Sequence, residues 1–220
     1  MLDTPEQIDE PLTEQAYRLL EERIVTLRLK PGEQVTEATL VGEIGLGRTP
    51  VREAVQRLAR EGLVLVLPRK GLRVSHSDPE RQLLVLEVRR ELERLLARLA
   101  AERATTEERA RFRAIADGMD RAASASDEIV FLRFDRELNM LLCAAAHNDY
   151  ASGAMRLING HSRRFWFQHH QERGDLPLCA RLHAEQARAV AAADGDAAMA
   201  ATDRLLDYTV AFAERVREGR

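Results

Sequence analysis

Apolar positions in the first third of the chain recur at helical spacing and then give way to short strand-like runs. After Thr13, which reads as an N-cap, Ala16, Leu19, Leu20, Ile24 and Leu27 fall on one helical face, and Lys30-Pro31-Gly32 stops the run. A short second helix carries Leu40, Val41 and Ile44. It ends at Gly45-Leu46-Gly47, a turn that needs positive φ. A third helix, roughly Pro50 to Glu61, takes Thr49 as N-cap, Pro50 as first residue and Gly62 as its C′ residue. Val51, Val55 and Leu58 form its inner face. Leu63 to Leu67 is too short and too β-branched for a helix, so it predicts a strand. Pro68-Arg69-Lys70-Gly71 then turns the chain into a return strand at Leu72-Arg73-Val74.

Beyond Ser75-His76-Ser77-Asp78-Pro79 the pattern becomes helical throughout, rich in Ala, Leu, Arg and Glu. Helices are predicted at about Glu80–Arg103, Thr106–Ala123, Asp127–Ala146, Tyr150–Glu172, Leu178–Ala193 and Asp196–Glu218. The fold class is therefore mainly α. Residues 1–77 form an N-terminal winged helix-turn-helix, and residues 78–220 a C-terminal all-α antiparallel helical bundle of about six helices, whose core is a normal place for a ligand.

Charge sharpens the first region. The whole chain carries a formal charge of −3, which gives no argument for nucleic acid, but the stretch from Arg48 to Arg73 carries a net +5. Arg48, Thr49 and Arg52 open the third helix, the end that meets base edges in a helix-turn-helix, and a guanidinium can bond guanine O6 and N7 together. Arg57 and Arg60 follow on the same helix, while Arg69, Lys70 and Arg73 sit on the wing, where Gly71 lets backbone approach a duplex. The competing reading is a winged fold used for protein contacts, with its arginines merely solvated.

Other classes fall away. No apolar run reaches membrane-spanning length, and the acidic, Pro-containing N-terminus does not read as a signal peptide, so a cytoplasmic location is expected. Two cysteines, Cys143 and Cys179, are too few for a disulfide framework and lack metal-ligand spacing.

In the second region Asp135 and Asn139 lie four apart on one helical face, beside an apolar face of Phe131, Phe134, Leu138 and Leu142. They can offer two oxygen ligands to a divalent cation, with His183 on a later helix as a third. Equally, they can form a buried hydrogen-bonded pair that His183 satisfies. Arg89 either points into a cavity or bridges Glu93, four residues on; Arg163 and Arg164 are further cavity candidates. Phe165-Trp166-Phe167 reads as core packing or a pocket wall, and His161, His169 and His170 show no ligand spacing.

The segment Gly47-Arg48-Thr49-Pro50-Val51-Arg52-Glu53-Ala54, with Arg57-Leu58-Ala59 and Glu61-Gly62-Leu63, resembles the GntR family of bacterial transcription regulators, of the FadR type with an FCD effector domain. The resemblance runs from about Leu12 to the C-terminus. It implies operator contacts by Arg48, Thr49 and Arg52 and a wing tip at Lys70 and Gly71. Gly47 stands where the family usually has Ser or Thr, which removes one capping or phosphate-binding hydroxyl. FCD domains commonly carry Asp-x-x-x-His, a second His at the start of the next-to-last helix and a third on the last helix. By this resemblance Asp135 is the first ligand, Asn139 replaces the first His, His183 is the second, and Leu205 or Asp207 stands in place of the third. Such an oxygen-rich set would favour Mn²⁺ or Mg²⁺, or no metal, over Zn²⁺ or Ni²⁺. Arg89 matches a family arginine that faces the effector cavity.

These readings lead to a ligand-responsive DNA-binding transcriptional regulator, a repressor by family habit. It would act as a homodimer on an inverted-repeat operator and respond to a small carboxylate, with a divalent metal as possible cofactor. A metal-dependent hydrolase using Asp135 and His183 is the enzymatic alternative, but no nucleophile–base pair or glycine-rich phosphate loop supports it. An architectural DNA-binding protein without effector is the other.

Overall fold

The computed structural model describes residues 10–219, so the N-terminal stretch read for signal character lies outside the described residues. The chain divides into two compact units, Met1–His76 and Ser77–Arg220.

The first unit runs α1 (Leu12–Val25), β1 (Gln34–Val35), α2 (Glu37–Ile44), α3 (Arg48–Arg60), β2 (Val64–Leu67) and β3 (Gly71–Val74). The strands form an antiparallel sheet in the order β1-β3-β2, with Leu67 opposite Gly71 and Val64 opposite Val74. Leu20, Ile24, Leu29, Val51, Val55, Leu58, Leu63 and Val74 pack into one core. The helix ends explain the register. Gly62 takes φ +73°, the Gly62 amide donates to Ala59 O, and the Leu63 amide donates to Leu58 O at 2.9 Å. This closed pair of bonds stops α3 and aims the chain into β2.

Three local expectations differ. Thr13 does not cap α1, which begins at Leu12 after Pro11; its hydroxyl donates instead to Glu53 Oε2 at 2.8 Å. The helix also ends at Val25, well before Lys30-Pro31-Gly32, because Leu27 turns to φ +57° and brings Leu29 into the core in its place. Thr49 lies inside α3, whose N-cap is Gly47 with no side-chain hydrogen bond. Strand β1, two residues long, was too short to show any periodicity.

The second unit is wholly helical among its described residues: α4 (Pro79–Arg103), α5 (Thr106–Ala125), α6 (Glu128–Ala145), α7 (Asp149–Arg156), α8 (Asn159–Arg173), α9 (Leu176–Ala191) and α10 (Gly195–Glu218). Most starts are written locally. Asp78, Asp127, Asn148, Asp175 and Asp194 each accept a backbone N–H as N-cap, and Thr105 with Glu108 forms a capping box. The helix expected over Tyr150–Glu172 is broken in two, so the bundle has one helix more than predicted. Leu157 and Ile158 close short bonds to Ala154 O and Met155 O, and α8 starts at Ile158 without any side-chain cap. The turn signal at the break is Asn159-Gly160, but α8 takes both residues into its first turn, and the apolar periodicity on either side outweighs it in the sequence.

One close approach fixes the α5–α6 packing. A Cβ on Gly118 would meet the Phe134 ring at 2.2 Å, so that ring lies directly on the α5 backbone.

Candidate nucleic-acid interface and ligand cavity

In the first unit the start of α3 presents Arg48, Thr49 and Arg52 to solvent. Arg52 Nε lies 3.3 Å from Glu37 Oε2, and its side chain remains 62% exposed, so this ion pair is weak and readily exchanged. Because Gly47 offers no capping oxygen, the first amides of α3 lack the side-chain acceptor that a Ser or Thr would supply. Arg69 and Lys70 are exposed at the hairpin tip, and Arg69 takes φ +62° to make the turn.

Gly71 has an internal reason to be glycine. At φ +83°, a Cβ there would lie 2.5 Å from Val35 O, so the bare backbone is needed for β3 to pair with β1. Arg57 also turns inward. Its Nη1 donates to Glu14 Oε1 at 2.9 Å, its Nε donates to Glu61 Oε1 at 3.1 Å, and its guanidinium lies 3.6 Å over the Tyr17 ring. Tyr17 donates to Glu61 Oε2 at 2.8 Å. Burial raises the Glu61 carboxyl above the usual range, against the bonds from Tyr17 and Arg57. Arg57 thus fastens α1 to α3, which distinguishes it from the solvated arginines at the helix start.

In the second unit the bundle holds a partly open cavity of about 40 Å³, room for roughly three waters. Phe131, Leu132, Trp166, Leu205 and Leu206 form its apolar wall, and Arg89, Asp135, Arg163 and His183 its polar side. Asp135, Asn139, His183, Arg89 and Arg163 are all buried and all meet here. Asp135 is the centre. Its Oδ2 accepts from Arg163 Nε at 2.8 Å, and its Oδ1 accepts from Asn139 Nδ2 at 2.9 Å and faces His183 Nε2 at 3.3 Å. Asn139 Oδ1 accepts from Arg89 Nη2 at 3.1 Å, and Arg163 Nη2 also donates to Leu132 O at 2.8 Å.

Both ring nitrogens of His183 face acceptors, Asp135 Oδ1 and, at 2.8 Å, Cys179 O. Only the imidazolium can donate to both. Burial works against that charge, but Cys179 and the Asp135 carboxylate overcome it and raise the His183 pKa well above its ordinary value. Burial likewise opposes ionisation of Asp135. The His183 bond and the Arg163 and Arg89 charges prevail and hold its carboxyl at about 2.

Arg89 makes the bond to Glu93 foreseen from their spacing, at 2.6 Å, but in the interior, where both side chains are almost wholly enclosed. Beyond it runs a chain that sequence reasoning missed. Gln186 Nε2 donates to Glu93 Oε1 and to Thr202 Oγ1, each at 2.8 Å, and Thr202 donates to Ala198 O. The only available clue was periodic: Gln186 lies one turn after His183, and Thr202 interrupts an Ala-rich face on α10. Arg164, a weaker cavity candidate, is buried, and that burial lowers its pKa to about 10.

The donor set does not fit a divalent metal. Among the described residues no three His, Cys, Asp or Glu side chains are grouped to hold one. The Asn139 amide turns its nitrogen, not its oxygen, toward Asp135, and guanidinium and imidazolium donors take up both carboxylate oxygens. Of the two residues that the register leaves open on the last helix, Asp207 is 71% exposed and pairs with Arg90 at 2.7 Å, whereas Leu205 lines the cavity.

No helix among the described residues is long and apolar enough to cross a membrane. Residues 12–74 match the model of the gntR family of bacterial regulatory proteins, and residues 84–208 match the FCD domain. The Nta operon transcriptional regulator of Aminobacter aminovorans is 30% identical over 135 residues, covering 61% of this chain and 64% of the relative. An HTH-type transcriptional regulator in an unstable DNA locus of Streptomyces ambofaciens is 46% identical over 65 residues, 30% of this chain and 28% of that one. The chain thus spans less than two thirds of the length of these relatives. The solved structure of Escherichia coli McbR/YncC shares the fold at 18% identity, with a TM-score of 0.79 over 94% of this chain and 99% of that one. The family is one of regulators and not an enzyme class. With one matched model covering more than half its length and the other covering the winged unit, the chain belongs to the GntR family of transcriptional regulators, with an FCD domain as its helical unit.

Proposed function

We propose that this protein is a cytoplasmic homodimeric repressor that binds an inverted-repeat operator and releases it when a small carboxylate enters the helical cavity. The observation that carries the reading is the separation of roles among its arginines. Arg48 and Arg52 stand solvated at the start of α3, with Arg69 and Lys70 at the wing tip, while Arg89 and Arg163 line a cavity in the other unit. Arg52 and Arg48 would read base edges in the major groove, and the uncapped start of α3 would take a phosphate. Arg69, Lys70 and the backbone near Gly71 would reach the flanking phosphates or minor groove. Arg57 is left out of this set because Glu14, Glu61 and Tyr17 already hold it.

Coupling requires the effector to bind one arrangement of the dimer better than another. The cavity has room for only a few waters, so an organic acid that enters it comes against its lining side chains. The side chains it meets, Arg89 and Arg163, tie α4 to α6 and α8 to α6. The test is a selection from random duplexes with the full chain at near-physiological salt, run beside Arg52→Ala. Enrichment of a short inverted repeat, half-sites about 34 Å apart, by the wild type alone is the expected result. No enriched sequence, or the same sequence from the variant, would sink the reading.

A further inference from the structure

We infer that the bundle cavity is a metal-free anion site: the Arg163 guanidinium holds Asp135 where a divalent cation would sit, and the cavity accepts a monocarboxylate with a small apolar body. The inference rests on the functional reading above and narrows its effector class. Its first support is the state of Asp135. Both oxygens of the Asp135 carboxylate already face N–H donors: Oδ2 that of Arg163, and Oδ1 those of Asn139 and His183. A metal would have to expel the buried Arg163 and reverse the Asn139 amide, which would leave Arg89 Nη2 without its acceptor. Two buried guanidinium groups beside the same carboxylate also repel a third cation.

The second support is the donor left over. Arg89 is buried, lines the cavity, and uses Nε on Glu93 and Nη2 on Asn139. Its Nη1 makes no hydrogen bond among the described residues. Glu93 is itself fixed by Gln186, and Gln186 by Thr202, so the guanidinium is held from behind with one amino edge open. A single such edge, in a cavity that Phe131, Leu132, Trp166, Leu205 and Leu206 also line, suits one carboxylate on an apolar body. The other cationic groups of the lining, Arg163 and His183, already face Asp135, so a second carboxylate would lack a counter-charge, and only Ser162 and Thr209 would answer a row of hydroxyls. In this scheme Arg89 is the anchor, and Glu93 and Gln186 are positioning residues.

The experiment uses the full-length protein. Metal content is measured by mass spectrometry after exposure to Zn²⁺, Ni²⁺ and Mn²⁺ and desalting. Melting is then followed in EDTA with benzoate, isobutyrate, succinate or gluconate. The expected outcome is metal far below one equivalent, and a melting rise of roughly 5–10 °C at saturating benzoate or isobutyrate that EDTA leaves intact. Succinate and gluconate should give none, and Arg89→Met should abolish the benzoate response. Should Arg89→Met not fold, Gln186→Leu, which frees Glu93, should weaken the response about tenfold in ligand concentration. One tightly held equivalent of metal, or a response that needs added metal, would overturn the metal-free site. A larger shift with succinate or gluconate, or no shift with either monocarboxylate, would overturn the ligand class. None of these outcomes touches operator selection, so failure here is distinct from failure of the regulator reading.

Discussion

The two units use the same residue type in opposite ways. Around α3 and the wing, Arg48, Arg52, Arg69 and Lys70 stand in water, where a guanidinium costs little and stays available to a polyanion. In the bundle, Arg89 and Arg163 are buried, and each carries a carboxylate or an amide with it: Glu93, Asp135 and Asn139. The contrast teaches that an exposed arginine advertises a partner outside the protein. A buried arginine is first explained by its partners inside, and only a donor left over points to a ligand. Arg57 marks the boundary between the two, because its sequence position suggests DNA and its surroundings say scaffold.

The sharpest way to break this comparison is to remove the buried counter-charge. Asp135→Ala strands Arg163 and His183 in the interior, and the bundle should lose about 3–5 kcal/mol in urea unfolding. A loss below about 1 kcal/mol would mean that water reaches these groups and the network is not closed. Gly118→Ala probes the packing that seats α6. Its new methyl would drive into the Phe134 ring, with an expected loss of about 1–3 kcal/mol in the same assay. Unchanged stability would show that Phe134 can swing away without disturbing Asp135.

Arg52→Ala should do the reverse of Asp135→Ala. Operator affinity should fall by about 1–3 kcal/mol in a binding titration, with relaxed base preference, while stability stays within about 0.5 kcal/mol. A comparable loss of stability would place Arg52 with Arg57, as scaffold.

The smallest effect is a slope. The His183 pKa is raised in the folded state, so its contribution is complete below about 6.5, its unfolded value, and is lost as pH rises through the folded value. Stability should therefore fall by up to about 1.4 kcal/mol per pH unit above neutrality, a fall absent in His183→Gln. Asp135 acts at the other end: its carboxyl is depressed to about 2, so its contribution is present above about 4 and fades as pH drops toward 2.

Much of the fold is legible in the chain because its determinants are local. Caps at Asp78, Thr105, Asp127, Asp175 and Asp194 mark helix starts within one turn of where the periodicity begins. Gly45 and Gly62 mark ends for the same reason: their left-handed φ is a property of one residue. The break between α7 and α8 carries only Asn159-Gly160, which sits inside the first turn of α8 and not in a cap, so the periodicity reads through it. The basic start of α3 is equally readable, since helix position and exposure follow from a dozen neighbours.

The site in the bundle divides along the same line. That Asp135 and Asn139 share a helix face follows from their spacing alone, and that Arg89 can reach Glu93 follows from theirs. Which of their atoms meet, and whether a cation or a metal lies between them, was decided by α4, α8 and α9, helices distant in sequence that bring Arg89, Arg163 and His183 to one carboxylate. The sequence by itself determined two units, a winged module with its basic helix start, and a helical bundle carrying an acid–amide pair. The tertiary structure alone decided that Arg57 pairs with Glu14 and Glu61 over Tyr17, that Leu205 and not Asp207 faces the cavity, and that Asp135 faces guanidinium and imidazole donors. The physical reason is range. Capping and periodicity act over a turn of chain, whereas the fate of a buried charge depends on every group that packing brings within a few ångströms of it.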